Sequence, residues 1–207
     1  IPIGKGMSSS AALCLAVALC VHGPTMKSQD ACLEAQRLEH TVLGTPCGLL
    51  DQMTMMHAQA DHCTLIDFTS LTTSSIPYPS TWMFKLIDSG IHRMLNTQDY
   101  RDTTTQEVKQ QHVKNENARV HQAMNASKEQ LGQLLNESHE SLRSIGVSTP
   151  EIDELVHAIQ KMNGVLGARM MGGGFGGMIL VLVDDADVLP EQDVLIASSP
   201  GFVEEIL

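Results

Sequence analysis

The sequence predicts an α+β fold in two parts. Helical patterns fill residues 8–58 and return over 102–162, while short apolar runs at 63–68, 83–87 and 178–183 read as strands. A Thr-, Ser- and Pro-rich stretch at 70–80 separates the first group of elements from the second and reads as a segment crossing between domains.

Each element has a local reason. Residues 8–22 are rich in Ala and Leu, the strongest helix formers, and Gly23-Pro24 stops them. Ser8, Ser9 and Ser10 stand where a hydroxyl accepts from the unpaired N–H groups of a helix start. Residues 28–43 read as an amphipathic helix capped by Ser28, with Ala31, Leu33, Ala35, Leu38 and Val42 as apolar positions. After the turn Gly44-Thr45-Pro46-Cys47-Gly48, residues 49–58 read as a third helix. Residues 102–123 and 128–144 are polar, periodic helices, and 150–162 is another, with Pro150 in its first turn. A glycine-rich loop then feeds the strand at 178–183.

Composition narrows the function. A chain of 207 residues holds one large or two small domains and can bury a sizeable core. With 43% hydrophobic but only 3% aromatic residues, that core is aliphatic. A net charge of −11 argues against nucleic-acid or membrane-surface partners, so an anionic substrate needs a local positive site such as a helix end or a metal. The five cysteines are odd in number and contain no C-x-x-C pair, which fits reduced thiols and a cytoplasmic setting. The opening apolar run is too short and interrupted for a membrane span. The first residue is Ile rather than Met, which suggests a fragment or a processed chain.

Three segments carry chemistry. The first is the turn containing Gly4, Gly6, Ser8, Ser9 and Ser10. A helix N-terminus behind glycines reads as a phosphate cradle, or else as an ordinary capped helix. The second is "EHTVLGTPCGLLDQM", residues 39–53. Asp51 near a helix start is stabilised as an anion and suited to orient or deprotonate a hydroxyl. Glu39 is suited to share a cation with a Ser hydroxyl and phosphate oxygens, as Mg²⁺ sites do. The alternatives are a helix-capping acid and a solvated helix residue. The third is the loop Gly172, Gly173, Gly174, Phe175, Gly176 and Gly177. That much glycine marks a tight turn or the close approach of a ligand. The histidines follow no metal-binding spacing, and no G-x-S-x-G hydrolase signature is present.

Jointly these segments resemble the GHMP small-molecule kinases, and within them the galactokinases. "PIGKGMSSSAAL" is similar to the family's phosphate-binding second motif, and "EHTVLGTPCGLLDQ" to the segment holding its catalytic acid. "GARMMGGGFGGMILVLV" is similar to its third motif, with "DSGIHRMLNTQDY" and "STPEIDELV" as flanking matches. The resemblance implies a remnant of the N-terminal nucleotide-binding domain over residues 1–72 and a ferredoxin-like C-terminal domain over 73–207. It implies ATP-dependent phosphorylation of a monosaccharide, galactose at its anomeric hydroxyl, with arabinose, a heptose phosphate or a uronic acid as alternative substrates. An inactive fragment or sugar sensor is the alternative from another class. Asp51 would be the catalytic acid, and Gly48 and Tyr100 would line the sugar pocket. Gly4, Gly6 and Ser8 to Ser10 would hold the ATP phosphates, and Ser10 with Glu39 would hold Mg²⁺. The glycine loop would pack beside the phosphate turn and shape the site. A monomer with small-molecule partners only is expected. The family's first motif, R-x-N-L-I-G-E-H-x-D-Y, has no counterpart in the sequence. The expectation is therefore that the structure preceding the turn is missing and that this chain alone is inactive.

Overall fold

A computed structural model of the chain describes residues 1, 3, 5–91, 105–196 and 201. They form two compact units, one built on Ser8–Pro79 and one on Ser80–Leu195 together with the residues just before Ser8.

The first unit begins with three helices, α1 (Ser9–His22), α2 (Ser28–Thr41) and α3 (Leu50–His57). Small side chains let α1 and α2 approach closely. Ala11 and Ala18 on α1 and Ala31 and Ala35 on α2 are all buried. Cys14 and Leu15 complete that core, with Leu19, Leu38, Met55 and Met56 packed against it. Gly23 ends α1 at φ 90°, a left-handed angle that glycine takes without a Cβ penalty, and its N–H donates to Leu19 O at 2.9 Å. Ser28 is not the cap of α2: Lys27 occupies that place in extended backbone, and no side chain caps the helix.

A hairpin of β1 (His62–Asp67) and β2 (Thr72–Pro77) completes this unit, pairing Cys63 with Ile76 and Leu65 with Ser74. The stretch expected to cross between domains therefore contains a strand. Thr72, Thr73 and Ile76 are β-branched, and their strand preference prevails over the Ser and Pro around them. The turn is built by Asp67, whose Oδ1 accepts from Thr69 N–H at 2.8 Å and whose Oδ2 accepts from Ser70 Oγ at 2.9 Å.

The second unit is a three-stranded antiparallel sheet with helices. Its elements are β3 (Met83–Asp88), α4 (Gln106–Ala123), α5 (Lys128–Ser144), α6 (Pro150–Gln160), β4 (Val165–Met170) and β5 (Met178–Val183), in strand order β3-β5-β4. The central strand β5 is a continuous apolar run, as a strand covered on both faces requires. Ile179, Val181 and Val183 join Ile152, Val156 and Ile159 of α6 in one core, and Leu182 is buried as well. The helix starts follow their sequence signals. Ser127 and Gln130 form a reciprocal capping box on α5, and Thr149 caps α6 with Pro150 behind it. Lys85 of β3 is buried, and its Nζ donates to Ala186 O at 2.6 Å and Leu189 O at 3.1 Å, tying the segment after β5 to the sheet.

The sequence pattern does not reveal β4, because Gly167 and Arg169 interrupt its apolar run. Packing supplies the reason. A Cβ on Gly167 would lie 2.1 Å from Gly132 O, and one on Gly132 would lie 2.3 Å from Leu166 O. Backbone meets backbone where α5 crosses β4. Gly167→Ala should therefore destabilise the protein by about 1–3 kcal/mol, the usual cost of overpacking a tight interior. The check is chemical denaturation. An unchanged midpoint would show that α5 can retreat without loss.

Among the described residues no helix is long and apolar enough to cross a membrane.

Candidate active site

The turn before α1 has the backbone expected of a cradle. Gly6 lies at φ 72° and Ser8 at φ 59°, both left-handed. Ser8 is the N-cap residue, but its side chain makes no capping bond; only its carbonyl takes part, accepting from Ala12 N–H at 3.0 Å. This corrects the expectation of a serine-capped helix. The reason is conformational: capping side chains act from extended backbone, and Ser8 is held left-handed. The first-turn N–H groups of α1 are left without a side-chain acceptor at the positive end of the helix dipole, where an anion is favoured. Gly4 lies outside the described residues. Lys5 pairs its ammonium with the Asp88 carboxylate.

Within the first turn of α1, Ser10 Oγ donates to Glu39 Oε1 at 2.7 Å. Glu39 sits near the end of α2 and is only 2% exposed, so it is not a solvated surface acid. Its other oxygen, Oε2, accepts from the Gln52 amide and from Cys47 Sγ at 3.3 Å. No Lys, Arg or His pairs with Glu39 among the described residues. A buried carboxylate held only by neutral donors is costly. A cation offsets that cost. Burial first, and then the hydrogen bond to Glu39, push the Cys47 thiol up to about 11, so it remains a neutral donor rather than a thiolate ligand.

The donor set fits a hard cation. Ser10 and Glu39 offer oxygens, and Gln52 Oε1 is a buried carbonyl oxygen with no donor among the described residues. Among the described residues no cluster of three or more His, Cys, Asp or Glu is placed to hold a metal. Two protein oxygens with the rest of the shell left to water and phosphate is the usual arrangement for Mg²⁺.

Asp51 lies in the first turn of α3, half-buried, and its carboxylate makes no hydrogen bond to another described residue. Its charge is one of the smaller influences raising the Cys47 thiol, which puts it in the same neighbourhood as Glu39. Gly48, just before α3, is exposed, and a Cβ there would meet nothing within 4 Å, so the turn opens onto free space. The backbone of Cys47 is held from α2: its N–H donates to His40 Nε2 at 3.1 Å and its carbonyl accepts from Gln36 Nε2 at 3.0 Å. Tyr100 lies outside the described residues.

Sequence reasoning missed Gln36, His40, Cys47 and Gln52 as parts of this site. Gln36 and His40 stand four apart on α2, the spacing that puts two side chains on one helix face. That was the available signal. Gln52 carried none beyond adjacency to Asp51.

The glycine loop belongs to the second unit and joins β4 to β5. Gly172, Gly174, Gly176 and Gly177 take φ of 72°, 98°, 136° and 96°, and Phe175 sits at 57°. Phe175 N–H donates to Val147 O at 2.9 Å, and Gly177 N–H donates to Ile91 O at 3.1 Å. Gly174, Gly176 and Gly177 are buried, whereas Gly172 and Gly173 are exposed. The inner glycines thus serve the turn's own backbone.

Comparison with known proteins identifies the family. The family model described as "GHMP kinases N terminal domain" matches residues 1–59, and "GHMP kinases C terminal" matches residues 120–192. The chain belongs to the GHMP kinases. It is 33% identical to a galactokinase of Thermotoga maritima over 219 residues, covering 88% of this chain and 63% of that one. It is equally 33% identical to a galactokinase of Bos taurus over 228 residues, covering 89% and 57%. The chain therefore spans less than two thirds of the length of these relatives. Its fold matches that of a Lactococcus lactis galactokinase solved with galactose, at TM-score 0.79, 24% identity and coverage of 91% and 60%. A mevalonate kinase structure matches at TM-score 0.68 and 22% identity, covering 95% and 65%.

Proposed function

We propose that this protein, completed by the segment that carries the family's first motif, transfers the γ-phosphoryl group of ATP to the anomeric hydroxyl of galactose. The observation that supports this best is the contact of Ser10 with the buried Glu39 directly behind the uncapped start of α1. It joins an anion-receptive helix end to a hard-oxygen cation site, as transfer from a nucleotide requires. The galactose assignment rests on the likeness to galactokinases.

In this reading Gly4, Gly6, Ser8, Ser9 and Ser10 hold the nucleotide phosphates. Ser10 and Glu39 hold Mg²⁺, which neutralises phosphate charge when bound. Gly48 and Tyr100 line the sugar pocket. Asp51 orients the anomeric hydroxyl and takes its proton as the oxygen attacks phosphorus, while the bond to the bridging oxygen of ADP breaks. A carboxylate without a bonding partner nearby is suited to that task, and positioning supplies most of the remaining advantage. The loop of Gly172, Gly173, Gly174, Gly176 and Gly177 shapes the site. The active species is a monomer in the cytoplasm, with no nucleic-acid or membrane partner.

Glu39→Gln tests the cation assignment. It should weaken Mg²⁺–ATP binding at least about tenfold and leave galactose binding within about twofold, because it removes one hard charge from the cation. Calorimetric titration of each ligand separately decides the matter. Equal loss for both ligands, or no loss for either, would make Glu39 a structural residue. A kinase assay across galactose, arabinose and uronic acids, with and without chelator, tests the substrate. Turnover without divalent metal, or preference for another sugar, would overturn the reading.

A further inference from the structure

Building on the cation reading of Ser10 and Glu39 above, we infer that Gln52 is the positioning residue of that site and contributes to the outer shell of the cation. Both ends of its amide point to this. Gln52 is 1% exposed and sits on α3 beside Asp51. Its Nε2 donates to Glu39 Oε2. With Cys47 Sγ on the same oxygen at 3.3 Å, Oε2 is fully engaged. Oε1 carries only the Ser10 hydroxyl, at 2.7 Å. The carboxylate is thereby turned so that one oxygen anchors it to the protein and the other faces the serine turn.

The amide cannot be reversed. Exchanging its nitrogen and oxygen would set a carbonyl oxygen against a carboxylate oxygen. Gln52 Oε1 is then fixed as an acceptor, and it is buried with no donor among the described residues. Native proteins rarely leave such an atom unpaired, because it forfeits about the full cost of its desolvation. A water bound to Mg²⁺ is a strong donor, and Mg²⁺ keeps several of its waters. Gln52 Oε1 accepts from such a water. One side chain thus orients the inner ligand and holds part of the outer shell. Its position next to Asp51 gives α3 two roles, with the proton acceptor and the support of the cation on adjacent residues.

The probe is Mn²⁺ titrated into the whole chain with ATP present, followed by electron paramagnetic resonance. Gln52→Leu removes both polar ends and keeps the bulk. It should weaken Mn²⁺ binding by about 10–100-fold, the usual effect of losing an outer-shell partner. ATP binding without metal should stay within about twofold, and the melting temperature should stay close to that of the native protein. Should Gln52→Leu not fold, Gln52→Asn takes its place with the same expectations, since it keeps the amide but withdraws it by one methylene. The double variant Gln52→Leu/Glu39→Gln should lose less Mn²⁺ affinity than the two single losses multiplied together, because the orienting part of the Gln52 role acts through the Glu39 carboxylate. If Glu39→Gln weakens Mn²⁺ but the folded Gln52 variant does not, or if the two losses simply add, the role of Gln52 is refuted and the cation reading stands. If Glu39→Gln leaves Mn²⁺ affinity unchanged, the cation reading fails, and this inference with it.

Discussion

In a full-length version that carries the family's first motif, Asp51→Asn should lower kcat for ATP-dependent galactose phosphorylation by at least about a hundredfold, the lower scale for loss of a general base. The substitution keeps size and shape but removes the charge proposed to take the hydroxyl proton. The Asp51 carboxylate makes no hydrogen bond to another described residue, so nothing in the fold should be released by the change. ATP affinity should stay within about twofold, and the melting temperature should not fall. Steady-state kinetics with saturating galactose, beside a binding titration of ATP, separates the effects. Near-normal turnover by the Asn variant would remove Asp51 from the chemistry. Loss of ATP binding in step with turnover would instead make it part of the nucleotide site.

Gly174→Val should destabilise the protein by about 2–5 kcal/mol, among the larger effects a single residue produces. Two costs add. Gly174 sits at φ 98°, which a β-branched residue reaches only under strain. A Cβ there would also lie 2.4 Å from Val147 O, a backbone atom that cannot swing aside. Val147 itself is 4% exposed in the core between α5 and α6, so displacing it disturbs the packing beneath the loop. Gly48→Ala is the matching control: its φ is not left-handed and nothing lies within 4 Å, so stability should change by less than about 0.5 kcal/mol. Equilibrium unfolding of the two variants measures the difference. A Gly174→Val protein as stable as the control would mean that the loop relocates freely.

The parts legible from sequence share a feature: their signal is local. The Ala- and Leu-rich run of α1, the Pro150 start of α6 and the apolar run of β5 each fold for reasons contained in their own residues. Glu39 and Asp51 are singled out by a recognisable string, and the structure adds that Glu39 is buried rather than a solvated surface acid. What escaped depends on distant partners. β4 holds Gly167 because Gly132 of α5 presses on it from 35 positions earlier in the chain. Ser8 fails to cap α1 because its backbone is left-handed, which a Ser-rich string does not announce. Ser28 looked like a cap, yet the chain starts its helix one residue sooner in space and leaves Lys27 in that place. Gln52 is an unremarkable helix residue until α2 and α3 bring its amide to Glu39.

Phosphorus NMR of the protein completed by the segment that carries the family's first motif, incubated with galactose, ATP and Mg²⁺, tests phosphoryl transfer most directly, because it reports both the reaction and its position. The account predicts one new phosphomonoester coupled to the anomeric proton of the sugar, growing as ATP falls and abolished by chelator. ATP loss with only inorganic phosphate formed, an ester at any other carbon, or no change in the spectrum would contradict it.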